Sequence, residues 1–262
     1  MNDAGARSRH DGSAGDADYA AIGAGYAHYR RPDPRIAARI LEALGDARSV
    51  INVGAGAGSY EPTDREVVAV EPSATMRAQR AAHAAPAIDA AAEALPFDDD
   101  SFDAGMATFT VHQWSDLDAG LAELRRVTRG PVVILSCDPA ALDRFWLVEY
   151  APLVIATEAR RYPSIGRIAT GLGGSVTVAE VPVPLDCTDG FEEAYYGRPE
   201  ALLDPGARLA NSAWSFVPPA AVDESVGRLA SDLESGVWDA RWGALRSRPS
   251  FDGSLRLIVG EG

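Results

Sequence analysis

The run Ser49-Val50-Ile51-Asn52-Val53-Gly54-Ala55-Gly56-Ala57-Gly58 constrains this chain more than any other stretch. A short apolar strand ends abruptly on glycines at alternate positions. Glycine reaches left-handed backbone conformations without a Cβ penalty and lets a ligand approach the main chain closely. Val67-Val68-Ala69-Val70 then reads as a second buried strand ending on Glu71, where a carboxylate can accept both hydroxyls of a ribose. The stretch from Ser59 to Glu66 is only eight residues long and contains Pro62. A long helix that seats a pyrophosphate on its N-terminal dipole fits poorly there. A ribose without a pyrophosphate points to an adenosine ligand. The structural alternative is a tight turn followed by a solvated strand-end glutamate.

The remaining pattern extends this beginning into a doubly wound sheet. Asp33-Pro34 opens a helix carrying Ile36, Ile40, Leu41 and Leu44, with Gly45 at its end. Ala74 to Ala82 reads as a helix capped by Ser73, and Ala87-Ile88-Asp89 as a weak third strand. Phe102 to Thr108 and Val132 to Leu135 give the fourth and fifth strands, separated by a helix behind Asp116. Strand and helix in this alternation predict an α/β, Rossmann-like sheet, mostly parallel, with helices on both faces. Beyond Pro139 one long helical stretch rich in aromatics precedes a strand over Val176 to Val183. The segment from Leu185 to about Ser215 has no clear period. A helix from about Ala220 to Ser235 then leads to a terminal strand, Ser254 to Val259. Two late strands separated by a long insertion predict an edge hairpin, with the insertion covering the substrate. The expected organisation is a tail over 1–18 and one domain over 19–262, with a cofactor-binding core at about 33–138 and a cover at about 140–220.

Composition removes several alternatives. Every one of the 24 basic residues is arginine, and subtracting the 38 acidic residues leaves a net charge of −14. Without lysine there is no lysine Schiff base, phosphate-loop lysine or lysine general base. The acidic balance argues against nucleic-acid and anionic-membrane partners and for a small molecule. Cys137 and Cys187 lack metal-ligand spacing and read as ordinary buried thiols, and no metal site is expected. Met1 to Asp18 is polar and charged without the apolar core of a secretory signal, and reads as a disordered tail. The expected protein is cytoplasmic, a monomer or homodimer.

The stretches Val50 to Gly58, Val70-Glu71-Pro72-Ser73, Ala92-Glu93-Ala94-Leu95-Pro96-Phe97 and Ser101-Phe102-Asp103 resemble, in order, those of the class I S-adenosylmethionine-dependent methyltransferases, in particular a small-molecule group with an Ala-Glu-x-Leu-Pro-Phe signature. The resemblance covers roughly half the chain and implies a seven-stranded sheet with an antiparallel last strand and S-adenosylmethionine as cofactor. Carried over by position, it places the methionine end against Gly54, Gly56 and Gly58 and the ribose on Glu71. Adenine falls between Pro72 and the Ala92-Glu93 turn, and Thr108 and Phe109 face the methionine portion. Asn52 stands where the family commonly has an acid toward the cofactor's amino group. Ala91 replaces a frequent adenine-binding Asp, a role Glu93 either assumes or leaves to solvent.

His112, at the carboxyl end of the fourth strand, is the candidate base or acceptor-orienting group; the alternative is a histidine bonded locally to fix its loop. Tyr19 to Arg31, with Tyr26, Tyr29 and Arg30, resembles a flap over the cofactor, or else forms an amphipathic helix on the core. Trp114, Phe145, Trp146, Tyr150, Tyr195 and Tyr196 are the candidate acceptor wall, although helical spacing would also bury some of them in an ordinary core. The activity expected is methyl transfer to a small organic acceptor. The rivals are a cyclisation or rearrangement that keeps the cofactor unreacted, a non-catalytic binding module, and dinucleotide oxidoreduction.

Overall fold

The computed structural model describes residues 26–262; the expected tail over 1–18 and the first part of the expected flap lie outside them. Seven strands form one sheet in the order β3-β2-β1-β4-β5-β9-β6. They are β1 Ser49–Val53, β2 Glu66–Val70, β3 Ala87–Ile88, β4 Ala104–Thr108, β5 Val132–Cys137, β6 Val176–Glu180 and β9 Leu255–Gly260. The first five are mutually parallel, and β9 runs antiparallel to both β5 and β6. The β6–β9 pair is the edge hairpin read from the sequence, with residues 181–254 between its strands. Two further strands, β7 Val183–Pro184 and β8 Ser250–Phe251, form a separate pair at the base of that insertion.

Alternation along the strands sorts the core into two faces. Val50, Ala104, Met106, Val133 and Leu135 belong to one buried cluster with Ile36, Ile40 and Leu44 of the helix Pro34–Leu44. Ile51, Val53, Ala107, Val132 and Ile134 belong to the other, against Leu121 and Leu124 of the helix Leu117–Arg126 and Ile168 and Leu172 of the helix Ile165–Leu172. Each such fully buried aliphatic side chain contributes roughly 1.5–3 kcal/mol. Asp33 fixes the start of Pro34–Leu44 by accepting from the Arg35 amide at 2.9 Å, and Gly45 stops it with φ +56°. Asp116 caps Leu117–Arg126 in the same manner.

Two expectations about the second half need correction. The stretch after Pro139 is not one helix: a 3-10 segment Pro139–Arg144, a turn Leu147–Tyr150 and a helix Pro152–Arg161 follow one another. Pro152 cannot donate to an upstream carbonyl, and Ala151 before it turns out of the helical region (φ −127°, ψ 61°). The strand read over Val176 to Val183 stops at Glu180. The insertion itself is a chain of short helices and 3-10 turns from Glu192 to Phe216, closed by Pro219–Glu234 and Val237–Trp242. Its aromatic residues join the first cluster, where Trp238 meets Trp146 edge to face at 5.5 Å and is fully buried. No helix among the described residues is long and apolar enough to cross a membrane.

Candidate functional site

The loop after β1 has the three left-handed glycines its sequence demands, at φ +70° (Gly54), +52° (Gly56) and +95° (Gly58). Gly54 is the tightest: a Cβ built on it would stand 2.0 Å from Thr110 Oγ1, so neither the conformation nor the space admits another residue. Its amide and that of Ala55 both donate to the Val70 carbonyl at 2.9 Å, tying the loop to the end of β2. Glu71, 8% exposed, accepts from the Gly56 amide through Oε2 and from the Ser73 amide through Oε1, each at 2.8 Å. Burial pushes this carboxyl up, while those two amides and the nearby Arg77 and Arg80 pull it back. A carboxylate has about four lone-pair directions, so both oxygens retain capacity for ribose hydroxyls.

Asn52 is fully buried and donates from Nδ2 to Glu61 Oε1 at 3.0 Å, leaving Oδ1 without a partner. Glu61 in turn pairs with Arg80 at 2.8 Å, and Arg80 also donates to the Gly56 carbonyl at 3.3 Å. The sequence reading missed both members of this pair. Their signal was a charge directly after the glycine loop, where only an internal partner permits burial. Ala92 is buried and Pro72 exposed. The Glu93 carboxylate is turned to its own neighbourhood: Oε1 accepts from Ser115 Oγ at 2.9 Å and from the Asp116 amide at 3.0 Å, bracing the helix that follows.

Thr108 and Phe109 sit at the carboxyl edge of β4, half-buried, and Phe109 is held at φ +52°, a conformation that costs a non-glycine residue roughly 1–3 kcal/mol. What holds it is a hydrogen bond to the Leu135 carbonyl at 2.9 Å, the Phe191 ring at 5.2 Å and the Arg30 guanidinium at 5.0 Å. Arg30 pairs with the buried Asp189 at 2.5 Å, and Tyr60 donates to the same carboxylate at 2.9 Å. The segment around Arg30 is thus clasped to the insertion and, through Asp189, to Tyr60 just past the glycine loop. The Arg30 guanidinium also lies over the Tyr26 ring, 5.4 Å from its centre.

Below this clasp is a cavity that starts at Tyr26, Arg30, Phe109 and His112. Its far wall is made by Phe145, Tyr162 and Phe191, and its polar lining by Glu158, Glu192 and Glu193. The volume open to water centres is about 40 Å³, room for a few waters at roughly 10–15 Å³ each. His112 is 5% exposed, stacks obliquely on Tyr162 at 4.2 Å and leaves Nδ1 unbonded. Burial, with Arg161 and Arg30 nearby, holds its pKa well below that of a free histidine, so the imidazole is neutral. The local hydrogen bond expected of a purely loop-fixing histidine is not made at Nδ1.

Of the residues expected to wall the acceptor site, Tyr26, Arg30 and Phe145 line the cavity and the others do not. Trp114 lies in the core on the opposite face of the sheet, against Gly120. Trp146 donates to the Tyr196 carbonyl at 2.9 Å, Tyr150 to Asp232 at 2.8 Å and Tyr29 to Asp204 at 2.7 Å. Tyr196 stacks on Phe251, and Tyr195 lies over Gly190 beneath Arg198. These rings build the cover rather than the cavity because each phenol or indole already has a partner, or a backbone to lie on, inside the insertion. The sequence reading did not single out Glu158, Tyr162, Phe191, Glu192 and Glu193. Adjacent carboxylates inside the aromatic run Phe191 to Tyr196 were the available signal.

Glu193 has a consequence for stability. Both its oxygens accept from the Ser254 amide at 2.9 Å, and burial raises its pKa to about 7 from 4.5. Between those values the native state holds a proton that the unfolded chain has lost, so stability falls as pH rises from 4.5 through about 7. Asp33 acts in the opposite sense. Burial alone would raise it, but bonds from Arg35 and the Thr188 amide hold it at about 2, so its contribution is lost as pH falls from 3.8 through about 2. Chemical denaturation should therefore show greatest stability near roughly pH 4–5, with Glu193→Gln removing a decline of roughly 3 kcal/mol toward neutrality. A flat profile in that variant and in the wild type would contradict this account.

Strand order, left-handed glycine loop and strand-end carboxylate are those of a Rossmann-like α/β protein with no helix between β1 and β2, an arrangement that suits an adenosine ligand rather than a pyrophosphate. Comparison with known proteins makes the class specific. Residues 51–134 match the family model described as a methyltransferase domain. A methyltransferase candidate from an antibiotic biosynthesis pathway of Anabaena variabilis has the same structure with TM-score 0.83 and 28% identity, over 89% of this chain and 99% of its own. A methyltransferase of Thermotoga maritima, a candidate histamine N-methyltransferase, follows at TM-score 0.50 and 15% identity, over 87% and 89% of the two chains. The (4+2)-cyclase SpnF has TM-score 0.54 and 13% identity over 93% and 92%. At these lower identities the likeness is one of fold. No curated protein sequence matches the chain. Residues 51–134 are thus those of a methyltransferase domain, the chain is similar to a methyltransferase candidate in structure, and S-adenosylmethionine is the cofactor these matches imply. The cradle fits that group: Gly54, Gly56 and Gly58 present bare backbone to it, and Asn52 and Glu71 keep unused acceptor capacity beside the loop.

Proposed function

We propose that this protein transfers a methyl group to a small organic acceptor held in the cavity beneath Arg30 and Phe109. The observation that carries the reading is the continuity of two sites. The cavity begins at Tyr26, Phe109 and His112; Phe109 and His112 follow β4, Thr110 between them packs on Gly54 of the glycine loop, and the Phe109 ring lies 6.4 Å from that of Tyr60, just past the loop. When bound, the cofactor supplies an electrophilic sulfonium methyl. The chain's part is to hold an acceptor lone pair in line with it at about 3 Å, and to exclude water while doing so. Phe109, Phe145 and Phe191 supply the dry walls. His112, neutral and with Nδ1 unbonded, is the group that takes a proton from the acceptor. Glu71 and the glycine loop hold the ribose and methionine ends, and Ala92 and Pro72 border the adenine.

Release of S-adenosylhomocysteine in the presence of an acceptor tests the reading against a cyclisation that leaves the cofactor unreacted. In that assay His112→Ala should lower turnover by about a hundredfold or more, the usual worth of a positioned base, with little change in cofactor affinity. Full activity in the variant would remove His112 from the chemistry.

A further inference from the structure

We infer that Asp189 is a positioning residue that couples the glycine loop to the cavity, so that a cofactor bound on the loop tightens the wall over the acceptor. The inference rests on the reading of that cavity as the acceptor site and adds how the two sites communicate.

Asp189 belongs to the insertion, is buried, and does not itself line the cavity. Its carboxylate joins the segment around Arg30 to the end of the glycine loop. Oδ1 accepts from Arg30 Nε at 2.5 Å, and Oδ2 from the Tyr60 hydroxyl at 2.9 Å. The main chain repeats the first of these ties: Arg30 and Asp189 form an antiparallel bridge, and the Gly190 amide donates to the Tyr29 carbonyl at 2.8 Å. Tyr60 stands two residues beyond Gly58, and its hydroxyl also accepts from the Asp33 amide at 3.4 Å. Arg30 reaches the other site, because its guanidinium lies 5.0 Å from the centre of the Phe109 ring and both residues line the cavity.

What the carboxylate holds is strained. Tyr60 at φ +64° and Phe109 at φ +52° are two of the three non-glycine residues with positive φ among the described residues. Such a conformation persists only where the surroundings fix it. Tyr60 is fixed through its hydroxyl, and Phe109 by Arg30 and by the Phe191 ring, two residues beyond Asp189. One carboxylate therefore secures both the end of the glycine loop and the first wall of the cavity. A buried charge is tolerated only while it is paired, so the tie is made or broken as a unit rather than loosened by degrees. Breaking it frees both strained residues to relax together. A cofactor that binds the loop in its tied shape favours that shape in proportion to its preference over the released one. By reciprocity the tie strengthens cofactor binding by the same factor.

Hydrogen exchange on the full chain, with and without saturating S-adenosylhomocysteine, reads the tie at the Gly190 amide, which is protected only while the Arg30 segment is docked. The ligand should slow exchange in the peptide containing Gly190 by about fivefold or more, the lower end of ordinary site-to-site coupling, and leave the edge strand β6 unchanged. Tyr60→Phe removes only the hydroxyl that reaches Asp189, and Asp189→Asn keeps the shape while removing the charge. Each should abolish the slowing at Gly190 and weaken S-adenosylhomocysteine binding, measured by calorimetry, by the factor lost. Tyr60→Phe alone decides if Asp189→Asn does not fold. No slowing in the wild type, equal slowing in β6, or slowing retained in Tyr60→Phe would overturn the inference. Its failure is distinguishable from failure of the transfer reading, which is tested by release of S-adenosylhomocysteine from S-adenosylmethionine. Coupled exchange without turnover leaves the tie standing and removes the reaction, and turnover with uncoupled exchange does the reverse.

Discussion

Gly54→Ala is expected to abolish useful cofactor binding and to destabilise the protein by about 2–4 kcal/mol. The two contributions come from different physics. Holding alanine in the left-handed region costs roughly 1–2 kcal/mol. The new Cβ would also stand 2.0 Å from Thr110 Oγ1 and 2.8 Å from Thr110 Cβ, so either β4's exit or the loop must shift. Overpacking of this kind typically costs about 1–3 kcal/mol. Because the loop amides at 54 and 55 are bonded to the Val70 carbonyl, a shift there moves the wall of the proposed methionine site. A second substitution separates the terms. Thr110→Gly removes every atom in conflict, so the double variant should recover the steric part and retain the conformational part. Denaturation and cofactor titration of the four proteins of the cycle measure both. Additive losses would show that Thr110 is not what excludes a side chain at 54.

Glu71→Ala should lower the affinity for S-adenosylmethionine and S-adenosylhomocysteine alike by at least about tenfold, roughly 1.4 kcal/mol. The carboxylate does two jobs at once. It closes the glycine loop through the Gly56 amide and the start of the next helix through the Ser73 amide, and in the proposed reading its remaining lone pairs take the ribose. Alanine removes both, leaving two amides to find water. Glu71→Gln keeps the volume but turns an NH2 group toward one of those amides, so it should bind no better than alanine. Unchanged affinity in either variant would remove Glu71 from the ribose site.

The part of the site that was legible in the sequence is the part built from contiguous residues. Strand, glycine loop, strand and Glu71 occupy positions 49 to 71, and each step has one physical meaning: apolar run, positive φ, strand-end carboxylate. The cavity proposed for the acceptor has no such local grammar. Its lining comes from Arg30, Phe109, Tyr162, Glu192 and Ser254, which no period connects and only the folded insertion brings together. Aromatic residues were the ambiguous signal. Trp146 and Tyr196 read equally well as pocket or core, and a single indole-to-carbonyl bond between them decides for core. Trp114 follows His112 by two residues, so it was natural to place both at one site; the 3-10 turn Val111–Gln113 instead sends the indole to the opposite face of the sheet. Pro152 and Pro163 were visible as helix breakers and were passed over, so the helix Ile165–Leu172 was merged with its upstream neighbours into one helical stretch.

The lysine-free, acidic composition takes on a specific meaning in this setting. Arginine carries every internal cationic role, from Arg80 under the glycine loop to Arg30 over Phe109, where a planar guanidinium can pair and stack at once.

Calorimetric titration of the protein with S-adenosylmethionine, S-adenosylhomocysteine and NAD tests the central claim most directly. The glycine loop, the short Ser59 to Glu66 connection and Glu71 predict saturable, one-to-one binding of the first two and none of the third. Tight binding of NAD with no response to S-adenosylmethionine or S-adenosylhomocysteine would contradict the account.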